Sequence, residues 1–166
     1  RRREATLLTL GDDFKFRLAR PSAFIDDGVK PVYRVAARLG RYVDSTLSHP
    51  YLTIDGWRKL AELKVGDHVA TPRRMEVFGD RRLRDDEIVS LAHASRDGII
   101  PPIIFQLARP QLAHFLRALF DIVARVIPAR GRAVKIGYST ASERHARQLS
   151  HLLLRFGVIA KLSKGG

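Results

Sequence analysis

The sequence contains no cysteine and no asparagine. The first absence excludes a disulfide scaffold, a thiolate zinc site and a cysteine nucleophile within these residues. The second excludes, within these residues, any reaction in which an asparagine side-chain amide attacks its own backbone. No apolar run reaches the roughly 18 residues that span a bilayer, so no transmembrane helix and no membrane partner is expected. Arg1-Arg2-Arg3 opens the chain, but no apolar core follows it as in a secretory leader. A reducing, cytoplasmic setting fits these features. Acidic residues are scarce in one half: residues 96–166 carry only Asp97, Asp121 and Glu143.

What is present sets further bounds. A chain of 166 residues that is 45% hydrophobic holds enough apolar material for one domain or two small ones. Thirty Lys and Arg against 17 Asp and Glu give a net charge of +13. Such a balance points first to nucleic acid and second to an anionic surface. Residues 96–166 hold 12 basic side chains against three acidic ones, so +9 of the charge lies there. A footprint on DNA or RNA is expected in that half.

The first half reads as short strands divided by turn residues. Thr6–Leu10 precedes Gly11-Asp12-Asp13, and Phe14–Leu18 precedes Pro21-Ser22. Val32–Ala37 and Arg41–Thr46 flank Gly40, with alternating faces as in half-buried strands. Leu52-Thr53-Ile54 leads into the tight-turn pair Asp55-Gly56. Trp57–Leu63 suggests one helical turn with Trp57 in the core, and Gly66-Asp67 a turn into His68-Val69-Ala70. The second half reads as helix, strand, helix, strand. Behind Pro110, Leu112, Phe115, Leu116, Leu119, Phe120 and Val123 line one helical face. Val134, Ile136 and Tyr138 alternate as a strand. Thr140-Ala141-Ser142-Glu143 fits a capping box for a helix ending at Gly157, and Val158–Leu162 reads as a last strand. Between the halves, Glu76–Ser95 is charged and non-periodic.

One run carries a specific pattern: Thr46-Leu47-Ser48-His49-Pro50, then Asp55-Gly56-Trp57, then Leu63-Lys64-Val65-Gly66-Asp67. In that order and spacing it resembles the Hedgehog/intein (Hint) fold, and more narrowly the inteins inserted in bacterial replicative DNA helicases of the DnaB type. The resemblance implies protein splicing, with Thr46 and His49 assisting an N-to-S or N-to-O acyl shift. His49 would protonate the leaving amide nitrogen, a task suited to a group that titrates near neutral pH. Thr46 would hydrogen-bond the same amide or its oxyanion. Without the resemblance, His49 before Pro50 is an ordinary turn histidine and Thr46 a strand threonine. His68, His93, His114, His145 and His151 lack metal-ligand spacing and read as surface or helix-face residues. No metal site and no cofactor is expected.

The sequence departs from the intein pattern at both ends. It opens with Arg1, not a Cys or Ser nucleophile, and ends Lys164-Gly165-Gly166, not His-Asn. By the resemblance it corresponds to the central portion of an intein, unable to splice alone. A split half, a trimmed form and a subset of a longer chain all fit. The implied partners are the missing intein segments or a complementary split-intein fragment, and host exteins of a replicative DNA helicase.

In the second half, Leu116–Ala124, Ile136–Ser142 and Leu152–Val158 are similar to the second element of a LAGLIDADG homing endonuclease and its downstream strand and helix. That family places a carboxylate near the end of each LAGLIDADG helix to hold a divalent metal. Here the position of the second carboxylate is Val123, and the glycine position after it is Ala124. Valine offers no oxygen, so endonuclease activity is expected to be lost. Asp97-Gly98 reads as a turn or as a scrap of the first element. Weak duplex DNA binding is expected through Arg125, Arg130, Arg132 and Lys135.

The expected fold is therefore a mainly β Hint-type fold followed by a small α+β, LAGLIDADG-like subdomain. Its expected divisions are a Hint-type splicing domain over 1–75, a linker over 76–100 and a reduced endonuclease-like subdomain over 101–166. Two rivals stand beside the intein reading. One is a DNA-binding remnant of a LAGLIDADG homing endonuclease, and the other a Hint-type self-processing domain of non-intein origin.

Overall fold

A computed structural model describes residues 6–96, 98–128 and 134–163. The chain divides into two compact units. The first joins the chain up to Ala36 to Tyr42–Thr71, and the second joins Ala37–Arg41 to the chain from Pro72 onward.

The first unit is built of three antiparallel hairpins. β1 (Leu7–Leu10) pairs with β2 (Phe16–Ala19), β3 (Tyr33–Ala36) with β4 (Tyr42–Ser45), and β5 (Pro50–Thr53) with β6 (Gly56–Lys59). Each is a separate two-stranded sheet among the described residues. The Asp55-Gly56 turn closes as the sequence suggests. Gly56 sits at φ +98°, and the Thr53 hydroxyl donates to its carbonyl at 2.8 Å. The helical turn expected over Trp57–Leu63 is shorter: Trp57 belongs to β6, and a 3-10 helix covers only Leu60–Glu62. His68–Ala70 contributes one antiparallel bridge, Thr53 to Val69. Trp57 was expected in the core and is instead 61% exposed. The reason is architectural, because a two-stranded ribbon without a second layer leaves its faces open.

The second unit holds every buried apolar side chain among the described residues. Its centre is α2 (Arg109–Val123), which has a proline in its first turn and buries Leu112, Phe115, Leu116 and Leu119 at the spacing read from the sequence. α1 (Asp85–Ala94) packs beside it and buries Ile88 and Ala92. This helix corrects the expectation of non-periodic chain over Glu76–Ser95. The acidic run Asp85-Asp86-Glu87 is its first turn, where the helix dipole favours negative charge. Glu87 Oε2 also accepts from the Arg84 amide at 2.9 Å. A 3-10 helix (Pro102–Gln106) places Ile104 in the same core. α3 (Glu143–Arg155) adds Leu149 and Leu152. Its cap is Ser142, whose hydroxyl accepts from the His145 amide at 3.2 Å, two residues later than the capping box expected at Thr140.

Polar side chains tie the segments around this core. Gln111 grips the Leu83 backbone with both amide atoms, accepting from its N–H at 2.7 Å and donating to its carbonyl at 2.6 Å. Gln148 accepts from the Ile100 amide at 3.1 Å. His145, expected on a surface or helix face, is fully buried. Its Nδ1 lies 2.6 Å from the Gly98 carbonyl and its Nε2 lies 2.7 Å from the Tyr138 hydroxyl. Both ring nitrogens are thus satisfied, which is what makes burial of a histidine tolerable.

Two strands complete the unit. β7 (Arg125–Pro128), not anticipated, pairs antiparallel with β8 (Val134–Gly137). Val158–Leu162, expected as a strand, forms none: after Gly157 at φ +81° the chain runs free of a ladder. The Val158 amide donates to the Leu153 carbonyl at 3.1 Å, and the Leu162 amide to the Leu39 carbonyl at 2.9 Å. The approach is close enough to require Gly40, at φ +84°, because a Cβ there would stand 2.5 Å from the Leu162 carbonyl oxygen.

Two stability outcomes follow. Phe115→Ala should cost about 3–5 kcal/mol in chemical denaturation, whereas Trp57→Ala should stay within about 0.5 kcal/mol. His151 has its pKa lowered by burial and then by the nearby Arg155. The folded state therefore prefers the neutral ring. Stability should fall as pH drops below about 6.5, the unfolded value, toward the lowered folded-state pKa. His151→Gln should flatten that slope in denaturation curves taken across the window.

Candidate functional site

Thr46 and His49 occupy the two ends of one turn between β4 and β5. The His49 amide donates to the Thr46 carbonyl at 3.1 Å, closing the turn. Its outer side is held by the 3-10 helix: the Leu60 amide donates to the His49 carbonyl at 2.9 Å and the Ala61 amide to the Leu47 carbonyl at 3.0 Å. The backbone carrying both side chains is thus tied at three points. The Thr46 hydroxyl lies 3.1 Å from that of Ser48. Thr46 is half-buried and His49 exposed, so the imidazole is accessible to a group brought from outside.

Two neighbours were not singled out from the sequence. Ser45 is 9% exposed and lies immediately before Thr46, and its hydroxyl is 2.6 Å from that of Tyr51. The Tyr51 ring meets the His49 imidazole edge to face, with centroids 5.4 Å apart and planes at 75°. The available signal was their position, one residue before and two residues after the Thr-x-x-His element.

Of the four cations assigned to DNA, Arg125 and Lys135 lie on the β7–β8 hairpin, whereas Arg130 and Arg132 fall outside the described residues. The register pairs Arg125 with Gly137 and Ile127 with Lys135. Alternation then sets Arg125, Ile127 and Lys135 on one face and Val126, Val134 and Ile136 on the other. Arg125 and Lys135 are both exposed.

At the end of α2, Val123 is its last residue and packs against the core, and Ala124 is already extended. Asp121 lies two residues earlier, about 200° around the helix. It is 73% exposed and faces Arg117 at 3.8 Å, so it does not replace a carboxylate at position 123. Asp97 lies outside the described residues. No group of three or more metal-ligating side chains occurs among the described residues, nor a helix long and apolar enough to cross a membrane.

A family model described as a LAGLIDADG-like domain matches residues 110–166. The chain is 38% identical over 89 residues to the replicative DNA helicase DnaB of Rhodothermus marinus, covering 54% of this chain and 10% of the helicase. It is 28% identical over 216 residues to the RecA protein of Mycobacterium tuberculosis, covering 84% of this chain and 27% of RecA. A probable translation initiation factor IF-2 of Pyrococcus furiosus is 36% identical over 136 residues, 74% of this chain and 12% of that protein. No solved structure matches. The chain thus corresponds to a small part of each relative, and residues 110–166 of its second unit are similar to a LAGLIDADG-like domain.

If the hairpin contacts phosphates, the full chain should bind duplex DNA with an affinity that falls steeply between about 50 and 200 mM salt. Arg125→Ala and Lys135→Ala should each weaken binding on every sequence and lower the salt slope by about one. Fluorescence anisotropy titrations at several salt concentrations measure both.

Proposed function

We propose that the chain is the central portion of an intein, with a Hint-type splicing domain in its first half and a reduced LAGLIDADG endonuclease-like subdomain in its second. The observation that carries this reading is the set of relatives. A replicative helicase, a RecA protein and a translation initiation factor are named for different tasks, yet each shares with this chain a stretch that is 10–27% of its own length. An inserted element common to unrelated hosts has that distribution. The Thr-x-x-His turn supports the same reading, since it presents a hydroxyl and an exposed imidazole from a tied backbone.

The chemistry assigned to that turn is the first acyl shift. A nucleophilic side chain attacks the preceding peptide carbonyl, forming a C–S or C–O bond and losing its proton. The C–N bond breaks, and the amide nitrogen leaves as an amine only if it gains a proton. His49 supplies that proton, and the Thr46 hydroxyl donates a hydrogen bond where negative charge develops on the carbonyl oxygen. The nucleophile, the cyclising asparagine and the replicative-helicase exteins come from other polypeptide segments. The LAGLIDADG-like domain supports a second reading, residual duplex DNA binding. The apolar, partly buried end of α2 at Val123 argues against metal-dependent cleavage.

With reporter exteins fused directly to this polypeptide, mass spectrometry should find no ligated product. Joined to a Cys-initiated segment and a His-Asn segment of a DnaB-type intein, it should splice. His49→Ala should then slow thioester formation by about two orders of magnitude or more, and Thr46→Ala by less. Thioester formation at the normal rate in His49→Ala would remove the assignment.

A further inference from the structure

We infer that Tyr51, tied to Ser45, is the positioning residue of the His49 imidazole; the inference rests on the splicing role given to His49. The backbone of the turn is fixed by its hydrogen bonds to the 3-10 helix, so the remaining freedom of His49 is in its two side-chain torsions. An exposed imidazole on a surface turn samples several rotamers. Proton delivery needs its nitrogen within hydrogen-bond reach of one amide. A neighbour that narrows the rotamers therefore acts on rate.

Tyr51 has the geometry for this. Its main chain is held in the β5–β6 ladder opposite Arg58, and its hydroxyl is held 2.6 Å from Ser45 at the end of β4. The side chain is thus fixed at both ends, and it spans the mouth of the turn that carries Thr46 and His49. The His49 ring meets this tethered ring at 5.4 Å and 75°, within the spacing and orientation that aromatic pairs prefer. Ser45 is well placed as the anchor because it is the one buried residue of the first unit among those described. A phenylalanine at position 51 would keep the wall and lose the tie, whereas a leucine would lose both.

The test joins two readouts. In the full chain, NMR of the His49 ring C–H protons should show a ring-current displacement that is lost in Tyr51→Leu and reduced in Tyr51→Phe and Ser45→Ala. In the chain joined to the two DnaB-type intein segments, thiol-induced release of the N-terminal reporter reads the acyl shift. Tyr51→Leu should slow it about tenfold, and Tyr51→Phe and Ser45→Ala about threefold each. A wild-type rate in Tyr51→Leu, or Tyr51→Phe as slow as Tyr51→Leu, would overturn the inference. If Tyr51→Leu does not fold, wild-type rates and unchanged His49 shifts in the other two variants overturn it equally. Failure of the splicing reading itself is a separate result, seen as an undiminished acyl shift in His49→Ala with Tyr51 intact.

Discussion

One face of α2 has to leave water, and the second unit is organised around that requirement. Leu112, Phe115 and Leu119 are fully buried. α1, the 3-10 helix at Pro102–Gln106 and α3 each contribute side chains to the same cluster. Bringing these elements together also buries backbone groups of the segments between them. Gln111, Gln148 and His145 answer that cost by reaching across to Leu83, Ile100 and Gly98. The apolar helix face supplies the driving force, and the polar ties select one arrangement from the many that would cover it.

Among its described residues the first unit buries no apolar side chain. Its strands pair as hairpins, and several of its large apolar side chains, among them Phe14, Leu18, Ile54 and Val65, remain exposed. Order at the Thr46–His49 turn therefore comes from hydrogen bonds more than from packing. The result is a tied backbone beneath an exposed imidazole, which suits the role proposed for His49. The apolar core of the second unit and the Thr46–His49 turn of the first are thus stabilised by different physics.

The same contrast explains what could be read from the sequence. α2 was legible because its apolar residues repeat at helical spacing behind a first-turn proline. The Thr-x-x-His turn was legible because turn residues and motif order mark it. α1 was hidden because its acids crowd the first turn, so a short helix with two fully buried residues, Ile88 and Ala92, looked like a charged connection. The burial of His145 depends on a carbonyl 47 residues away at Gly98 and on the Tyr138 hydroxyl, partners that only the tertiary fold assembles. Trp57 misled because a large aromatic implies a core, and its ribbon has no covering layer. Val158–Leu162 has strand composition but gained no ladder partner, and composition alone cannot supply one.

Among the described residues the hairpins do not merge into larger sheets, and this has a colloidal consequence. Apart from β5, which Val69 bridges at Thr53, the strands of these two-stranded sheets are edges, so backbone donors and acceptors on their outer sides can template another strand. What opposes this is long-range repulsion between like molecules, since every copy carries +13. That repulsion acts over about 10 Å at 0.1 M salt and about 3 Å at 1 M. Dissolved salt thus sets how close two copies come before their strand edges meet. Kept dilute in ions, the protein behaves as a charge-stabilised suspension; in concentrated brine, its own ribbons become the adhesive.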